Sequence, residues 1–345
     1  MATALLSLGA NINQRSKKGT PLHFAASSGC KAVASLLIDN GADCTLKDSN
    51  DYYTPLHIAC EEGKTDVVQL LLNNGADINV EDPSGCTPLH RACSKGHSEV
   101  VQLLIDNGAN ITVKNEFDQT PLHSACSNNQ FACSNNQLEI VQLLIEKGAN
   151  ITDEDFFCYT PLHRACSESD IKVVQLLIKK GADVNIKGRN DGHTPLHLAC
   201  EKGRTDVVRL LIKEDVNINC TSSNGTPLHF ACKKGRTDVI RLLIKEGANI
   251  EMKDFEGDTP LHIACIDSHT DIVQTLLDSG ANINCTNDDG ETPLYRACLI
   301  GHTEIIESFV SHSIKLLTSD EDRFLTWCTV FFLLFPNTPP HPHET

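Results

Sequence analysis

The sequence predicts an all-α repeat solenoid, a row of stacked helix-turn-helix units, and three observations carry the prediction. Thr-Pro-Leu-His, first met at Thr20, returns at Thr54, Thr87, Thr120, Thr160, Thr194, Thr226 and Thr259, and once more as Thr292-Pro293-Leu294-Tyr295. Successive starts lie 34, 33, 33, 40, 34, 32, 33 and 33 residues apart. A fixed period of that length marks a stacked array whose core runs through every unit, not one globular core. Inside each unit the apolar residues follow a helical spacing, as Leu56, Ala59 and Cys60 do. Glycines then punctuate the pattern at fixed places.

One unit shows how the elements arise. Thr54 caps a first helix, and Pro55 fills its first turn, where a missing N–H goes unneeded. Gly63 ends that helix, as Gly96, Gly203, Gly235 and Gly301 do elsewhere. Thr65 caps a second helix with Asp66 in its first turn, favourable to the helix dipole. Gly75 stops it, and Ala76-Asp77-Ile78-Asn79 leads into the next turn.

Composition narrows the function classes. Lys and Arg number 29 against 45 Asp and Glu, a formal net charge of −16. Nucleic acid is thereby disfavoured as a partner, because phosphate binding needs clustered cations. Partners with a basic patch are favoured. Sixteen cysteines raise the question of disulfides or zinc. Eight of them, from Cys60 to Cys298, sit six residues after a motif threonine, where the first repeat has Ala26. A position shared with alanine is a small core site. Stacked helices about 8–10 Å apart hold equivalent cysteines too far apart to bridge. His57 and Cys60 form an i, i+3 pair with no second pair converging on them, so neither a metal nor a cofactor is expected. Free thiols in this number predict a reducing compartment, the cytoplasm. No phosphate loop, nucleophile elbow or kinase-like signature occurs, so the isolated chain is not expected to be an enzyme.

The period and the Thr-Pro-Leu-His-x-Ala core, seen whole from Gly85 to Ile111, resemble ankyrin repeats over roughly residues 1–312. The resemblance implies a right-handed, concave stack with projecting β-hairpin loops. It implies that the motif histidines (His23, His57, His90, His123, His163, His197, His229 and His262) hydrogen-bond between neighbouring loops. It also implies partner contacts at hairpin tips and at the two residues after each Ala-Cys step. In this chain those are Tyr52, Tyr53, Phe117, Phe156, Phe157 and Phe255 on hairpins, and Glu61, Glu62, Lys95, Glu168, Lys202, Lys233 and Lys234 beside the Ala-Cys steps. Asp153-Glu154-Asp155 beside Phe156-Phe157 reads as an acidic, aromatic ridge suited to a basic or apolar peptide. A Leu eight residues before an acidic-aliphatic-Asn triplet resembles sites of asparaginyl hydroxylation, which would place modification at Asn79 and Asn185.

Three segments depart from the period. Residues 1–15 read as the tail of a truncated repeat, its second helix and hairpin start, which implies a natural beginning further upstream. Residues 16–312 hold about nine repeats. The 40-residue interval contains a tandem copy of Ala-Cys-Ser-Asn-Asn-Gln. It either lengthens the first helix by about two turns or bulges as a loop, and Asn-Asn-Gln favours the loop. Asp215-Val216 replaces the usual Gly-Ala, which marks a weak junction, and Tyr52 and Cys158 also stand where other repeats have glycine. Residues 313–345 form a non-repeat tail. Its apolar run 324–335 is too short to span a bilayer, which takes about twenty residues. It reads as a cap on the last repeat, a partner-binding segment, a mis-assigned end or, least favoured, a membrane contact, followed by a proline-rich, disordered terminus. The reading is a monomeric, non-catalytic scaffold or adaptor. The alternatives are a regulatory or anchoring segment of a larger membrane-linked or signalling protein, and a recruiting subunit of an enzyme complex.

Overall fold

A computed structural model describes residues 11–49, 52–127, 134–168 and 170–316. They form eighteen helices arranged as nine pairs. Odd-numbered helices each begin at a motif proline: α1 (Pro21–Ser28), α3 (Pro55–Glu61), α5 (Pro88–Lys95), α7 (Pro121–Cys126), α9 (Pro161–Glu168), α11 (Pro195–Lys202), α13 (Pro227–Lys233), α15 (Pro260–Ile266) and α17 (Pro293–Ile300). Their even-numbered mates are α2 (Lys31–Asp39), α4 (Thr65–Asn73), α6 (Ser98–Asp106), α8 (Ser134–Glu146), α10 (Ile171–Lys179), α12 (Thr205–Lys213), α14 (Thr237–Lys245), α16 (Thr270–Asp278) and α18 (Thr303–Leu316). The chain falls into two compact units, Met1–Leu198 and Ala199–Thr345. Within each, first helices pack on first helices and second helices on second helices of the next pair.

The core follows the repeat. Leu56, Ala59, Cys60, Val67, Val68 and Leu71 are all fully buried, and the equivalent Leu89, Ala92, Cys93, Val101 and Leu104 are buried in turn. A fully buried aliphatic side chain contributes roughly 1.5–3 kcal/mol. A two-helix unit cannot cover this face alone, so burial is completed by the neighbouring unit. Ala26 is buried at the site where later repeats carry cysteine, as the small-side-chain reading requires. The described cysteines are all free thiols.

Each motif threonine is the N-cap of its helix, with extended backbone at Thr54 (φ −85°, ψ 164°) and proline following. The second helices are entered differently from the sequence reading. Thr65 is the first helical residue and Lys64 the cap, with no side-chain cap bond. The Thr65 hydroxyl points instead to Glu99 Oε2, 3.4 Å away.

Several of the glycines that end first helices have a second reason to be glycine. Gly63 is left-handed (φ +67°), and a Cβ there would lie 2.5 Å from the His97 ring of the next repeat. Lys64 covers Gly29, Arg236 covers Gly203 and His269 covers Gly235 in the same way. His97 also donates from Nε2 to the Glu61 carbonyl (2.8 Å), capping the helix it covers.

The turns that lack the usual glycine keep its backbone conformation. Tyr52, Cys158 and Asp215 adopt left-handed φ of 54°, 59° and 59°, so the usual turn is kept at the expense of local backbone strain. The 40-residue interval also resolves otherwise. The first helix is shortened to six residues and the second lengthened to thirteen, against nine in α4 and α6. The second copy of Ser-Asn-Asn-Gln becomes the opening turn of α8, where Asn136 Nδ2 donates to the Gly96 carbonyl (3.2 Å). Residues 128–133 lie outside the described residues. At the other end α18 runs for fourteen residues, since Ser313 stands in place of the helix-stopping glycine. The tail readings concern residues beyond 316, outside the description.

Candidate partner-binding surface

The site is built on the turns between repeats, so their construction comes first. In the eight motifs that carry histidine the threonine N–H donates to histidine Nδ1 over 3.0–3.3 Å. A nitrogen that accepts carries no proton, so the proton sits on Nε2. Nε2 then donates to the carbonyl of the residue before the next motif threonine. His23 reaches Tyr53, His57 reaches Cys86, His90 reaches Gln119, His123 reaches Tyr159, His163 reaches His193, His229 reaches Asp258 and His262 reaches Glu291, all at 2.9–3.2 Å. These rings are at most 2 % exposed. Burial pushes their pKa down, to about 4 for His57, His90 and His163. They act as neutral structural ties in this arrangement. Tyr295, in the last motif, is 52 % exposed.

Among the described residues no strand forms at the hairpins; turns close through backbone bonds such as Asp82 N–H to the Cys86 carbonyl (3.1 Å), and at Ser16–Gly19 and Ser222–Gly225 a reciprocal pair makes an isolated antiparallel bridge. A buried acidic or amide side chain organises the turn. Asp155 Oδ1 accepts from the N–H groups of Phe157 (2.9 Å) and Tyr159 (3.0 Å), while Oδ2 accepts from Arg164. Asp82 does the same with Ser84, Cys86 and Arg91. Adjacent tips are tied to each other: Glu116 N–H donates to the Ser84 carbonyl (2.9 Å) and Phe156 N–H to the Phe117 carbonyl (2.8 Å).

The tips therefore form a held row, and aromatic side chains stand on it. Phe117, Phe156 and Phe157 are 51 %, 60 % and 47 % exposed. Phe156 and Phe157 meet edge to face at 5.5 Å, and the Arg164 guanidinium lies 5.7 Å from the Phe157 ring centre. Tyr52 and Phe255 are exposed on other hairpins. Tyr53 is turned inward: its half-buried ring stacks on His57 at 5.6 Å beneath Arg91. It is spent on packing.

The acidic ridge is also corrected. Asp155 is buried in its turn, Glu154 pairs with Arg189 (3.1 Å), and the Glu154 carbonyl accepts from Lys114 (2.9 Å). Much of its charge is compensated locally, so the surface beside the phenylalanines is apolar and mixed in charge.

Beside the Ala-Cys steps, Glu62, Glu168, Lys202, Lys233 and Lys234 are exposed. Glu61 pairs with Lys95 (3.1 Å), and Lys234 lies 3.6 Å from Glu201, so these join neighbouring repeats as well as facing solvent. Asn79 and Asn185 are exposed, each with its N–H held by an aspartate two residues earlier. Asn79 Oδ1 accepts the N–H of Asn110 in the next repeat (2.9 Å). Asn13 holds Asp43 in the same way (2.9 Å), which puts residues 11–13 in register with the repeat.

One cluster was not anticipated. Tyr159 donates its hydroxyl to Asp191 (2.5 Å), lies 2.8 Å from His193 Nδ1 and stacks on His163 at 5.0 Å. Burial and then the bond to Asp191 push its phenol pKa up. The one sequence signal for it is that Tyr53 and Tyr159 precede a motif threonine.

Helix pairs repeating at this period, locked by a threonine–histidine tie between turns, define a stacked-repeat protein. A family model described as ankyrin repeats (three copies) matches residues 1–82, 56–155, 113–188, 129–222, 185–254, 213–287 and 247–320. The chain belongs to the ankyrin-repeat family, whose members are in general protein–protein interaction modules. No curated protein matches the chain. No helix among the described residues is long and apolar enough to cross a membrane.

Proposed function

We propose that the chain is a non-catalytic scaffold that binds another protein through the hairpin row of its fourth and fifth repeats. The observation carrying this reading is the apolar group of Phe117, Phe156 and Phe157 on two tips tied by the Phe156–Phe117 backbone bond. Large aromatic side chains held rigidly on a surface are the kind of residue that anchors interfaces, because little ordering entropy remains to be lost. Glu62, Glu168, Lys202, Lys233 and Lys234 would supply selectivity along the first-helix ends, where charge changes from acidic to basic. Partners with an apolar anchor and mixed charge fit this surface better than a purely basic peptide.

Capture from cytosol tests the reading, with the intact chain as one bait and Phe117→Ser/Phe156→Ser/Phe157→Ser as the other. Circular dichroism first checks that both are folded. A protein retained by the first and lost by the second supports the hairpin row; equal retention overturns it.

A further inference from the structure

The second helices carry a surface that the hairpin row does not use. Between α6 and α8 lies a groove of about 690 Å³. Leu103 and Leu143 line its floor, both half-buried. Along its rims stand Glu99 and Asp106 from one helix and Glu139 and Glu146 from the other, all exposed. The two walls have the same register: a carboxylate, a leucine four residues on, and a second carboxylate three beyond that. Local compensation is slight. Lys147 lies 3.4 Å from Asp106, the Thr65 hydroxyl lies 3.4 Å from Glu99, and Glu146 accepts from the neutral Gln142 amide (2.9 Å).

We infer that this groove docks a cationic amphipathic helix of a partner protein. Carboxylates seven residues apart on a helix are two turns, about 10 Å, from one another. A partner helix with Lys or Arg at the same seven-residue interval, and aliphatic residues between, places its cations along the rims and its apolar stripe on the two leucines. Charge complementarity selects this occupant over an acidic or neutral one. The wall also has an end. In α10 the matching positions are Lys172 and Lys179, which would repel a cationic helix running further along the array.

The test uses the full chain and a fluorescein-labelled helical peptide of leucine, alanine and lysine with lysines seven residues apart. Binding is read by fluorescence anisotropy at two salt concentrations. Glu99→Lys/Glu139→Lys/Glu146→Lys is expected to weaken binding at least tenfold, and Leu103→Ser/Leu143→Ser at least fivefold. Glu214→Lys/Glu246→Lys/Asp278→Lys changes net charge equally at exposed sites elsewhere and is expected to change affinity less than threefold. Circular dichroism verifies that each variant is folded. Equal weakening by the two lysine triples would show attraction to net charge alone and overturn the proposal. So would an unchanged affinity in the leucine variant, equal binding of the same peptide with glutamate for lysine, or self-association of the chain abolished by the groove triple. The hairpin variant Phe117→Ser/Phe156→Ser/Phe157→Ser leaves this peptide's affinity intact, so the two surfaces are separately testable.

Discussion

His90 donates from Nε2 to the carbonyl of Gln119 across 3.0 Å, and this bond ties the third repeat to the turn that opens the fourth. Its other nitrogen accepts the Thr87 N–H at 3.1 Å, so one buried ring satisfies two backbone groups. His90→Ala leaves both groups unpaired in a dry site. An unsatisfied buried polar group costs about 1–3 kcal/mol, so a loss of about 2–4 kcal/mol is expected in urea unfolding. Tyr295→Ala, at the exposed equivalent position, is expected to change stability by less than about 1 kcal/mol. Similar losses at both sites would sink the idea that the tie is energetic.

The same rings set an acid limit. In the folded chain His57, His90 and His163 have pKa values near 4, below the ordinary 6.5, so the unfolded chain binds more protons between these values. Stability is therefore complete above about pH 6.5 and is lost as pH falls towards 4. At pH 5 each of these histidines contributes a loss of about 2 kcal/mol. Thermal melting from pH 7.5 to 4.5 is expected to show a falling Tm, less steep in His90→Gln. A flat profile over that range would contradict neutral buried imidazoles.

Gly63 and Gly41 separate conformation from crowding. Both are left-handed, at φ +67° and +91°, but a Cβ at Gly63 meets the His97 ring whereas one at Gly41 meets nothing within 4 Å. Alanine at Gly41 is expected to cost about 1 kcal/mol from backbone strain alone. At Gly63 the contact adds to this, for a total of about 2–4 kcal/mol. Equal effects, measured by denaturant unfolding, would mean that His97 simply moves aside.

Cysteine reactivity follows burial. Cys30 and Cys298 are exposed, whereas Cys60, Cys93, Cys126, Cys166, Cys200, Cys232 and Cys265 are buried. Burial also pushes the Cys60 and Cys93 thiols up, away from the reactive thiolate. Brief iodoacetamide treatment at pH 8, read by peptide mass spectrometry, is expected to label Cys30 and Cys298 and to spare the core set until urea is added. Labelling of Cys93 as fast as Cys30 would contradict the packed core.

Much of this molecule was legible because its signals are local and repeated. Thr-Pro at a helix start, glycine at a helix end and apolar residues at helical spacing act within a few residues. They recur through the array, Thr-Pro in all nine motifs and glycine in most, so the helix pairs and the core positions of Leu56, Cys60 and Val67 could be read directly. The role of the insert was hidden by its own composition. Asn-Asn-Gln disfavours helix locally, yet the second copy continues into Leu138-Glu139-Ile140-Val141, and the burial of Ile140 and Val141 against neighbouring helices rewards extending α8 backwards.

Tertiary structure alone decided which side chains are available to a partner. Asp155, Phe156 and Phe157 are adjacent in the chain and equal candidates by sequence. The carboxylate is drawn inward by two backbone N–H groups and Arg164, nine residues later, while the rings stay out. Tyr52 and Tyr53 divide in the same manner, one exposed and one stacked on His57. The repeat period determined that the chain is a stack of helix pairs, since only neighbouring units can bury each other's apolar faces. What each turn presents depends on hydrogen bonds and stacking between residues brought together only after the units have packed.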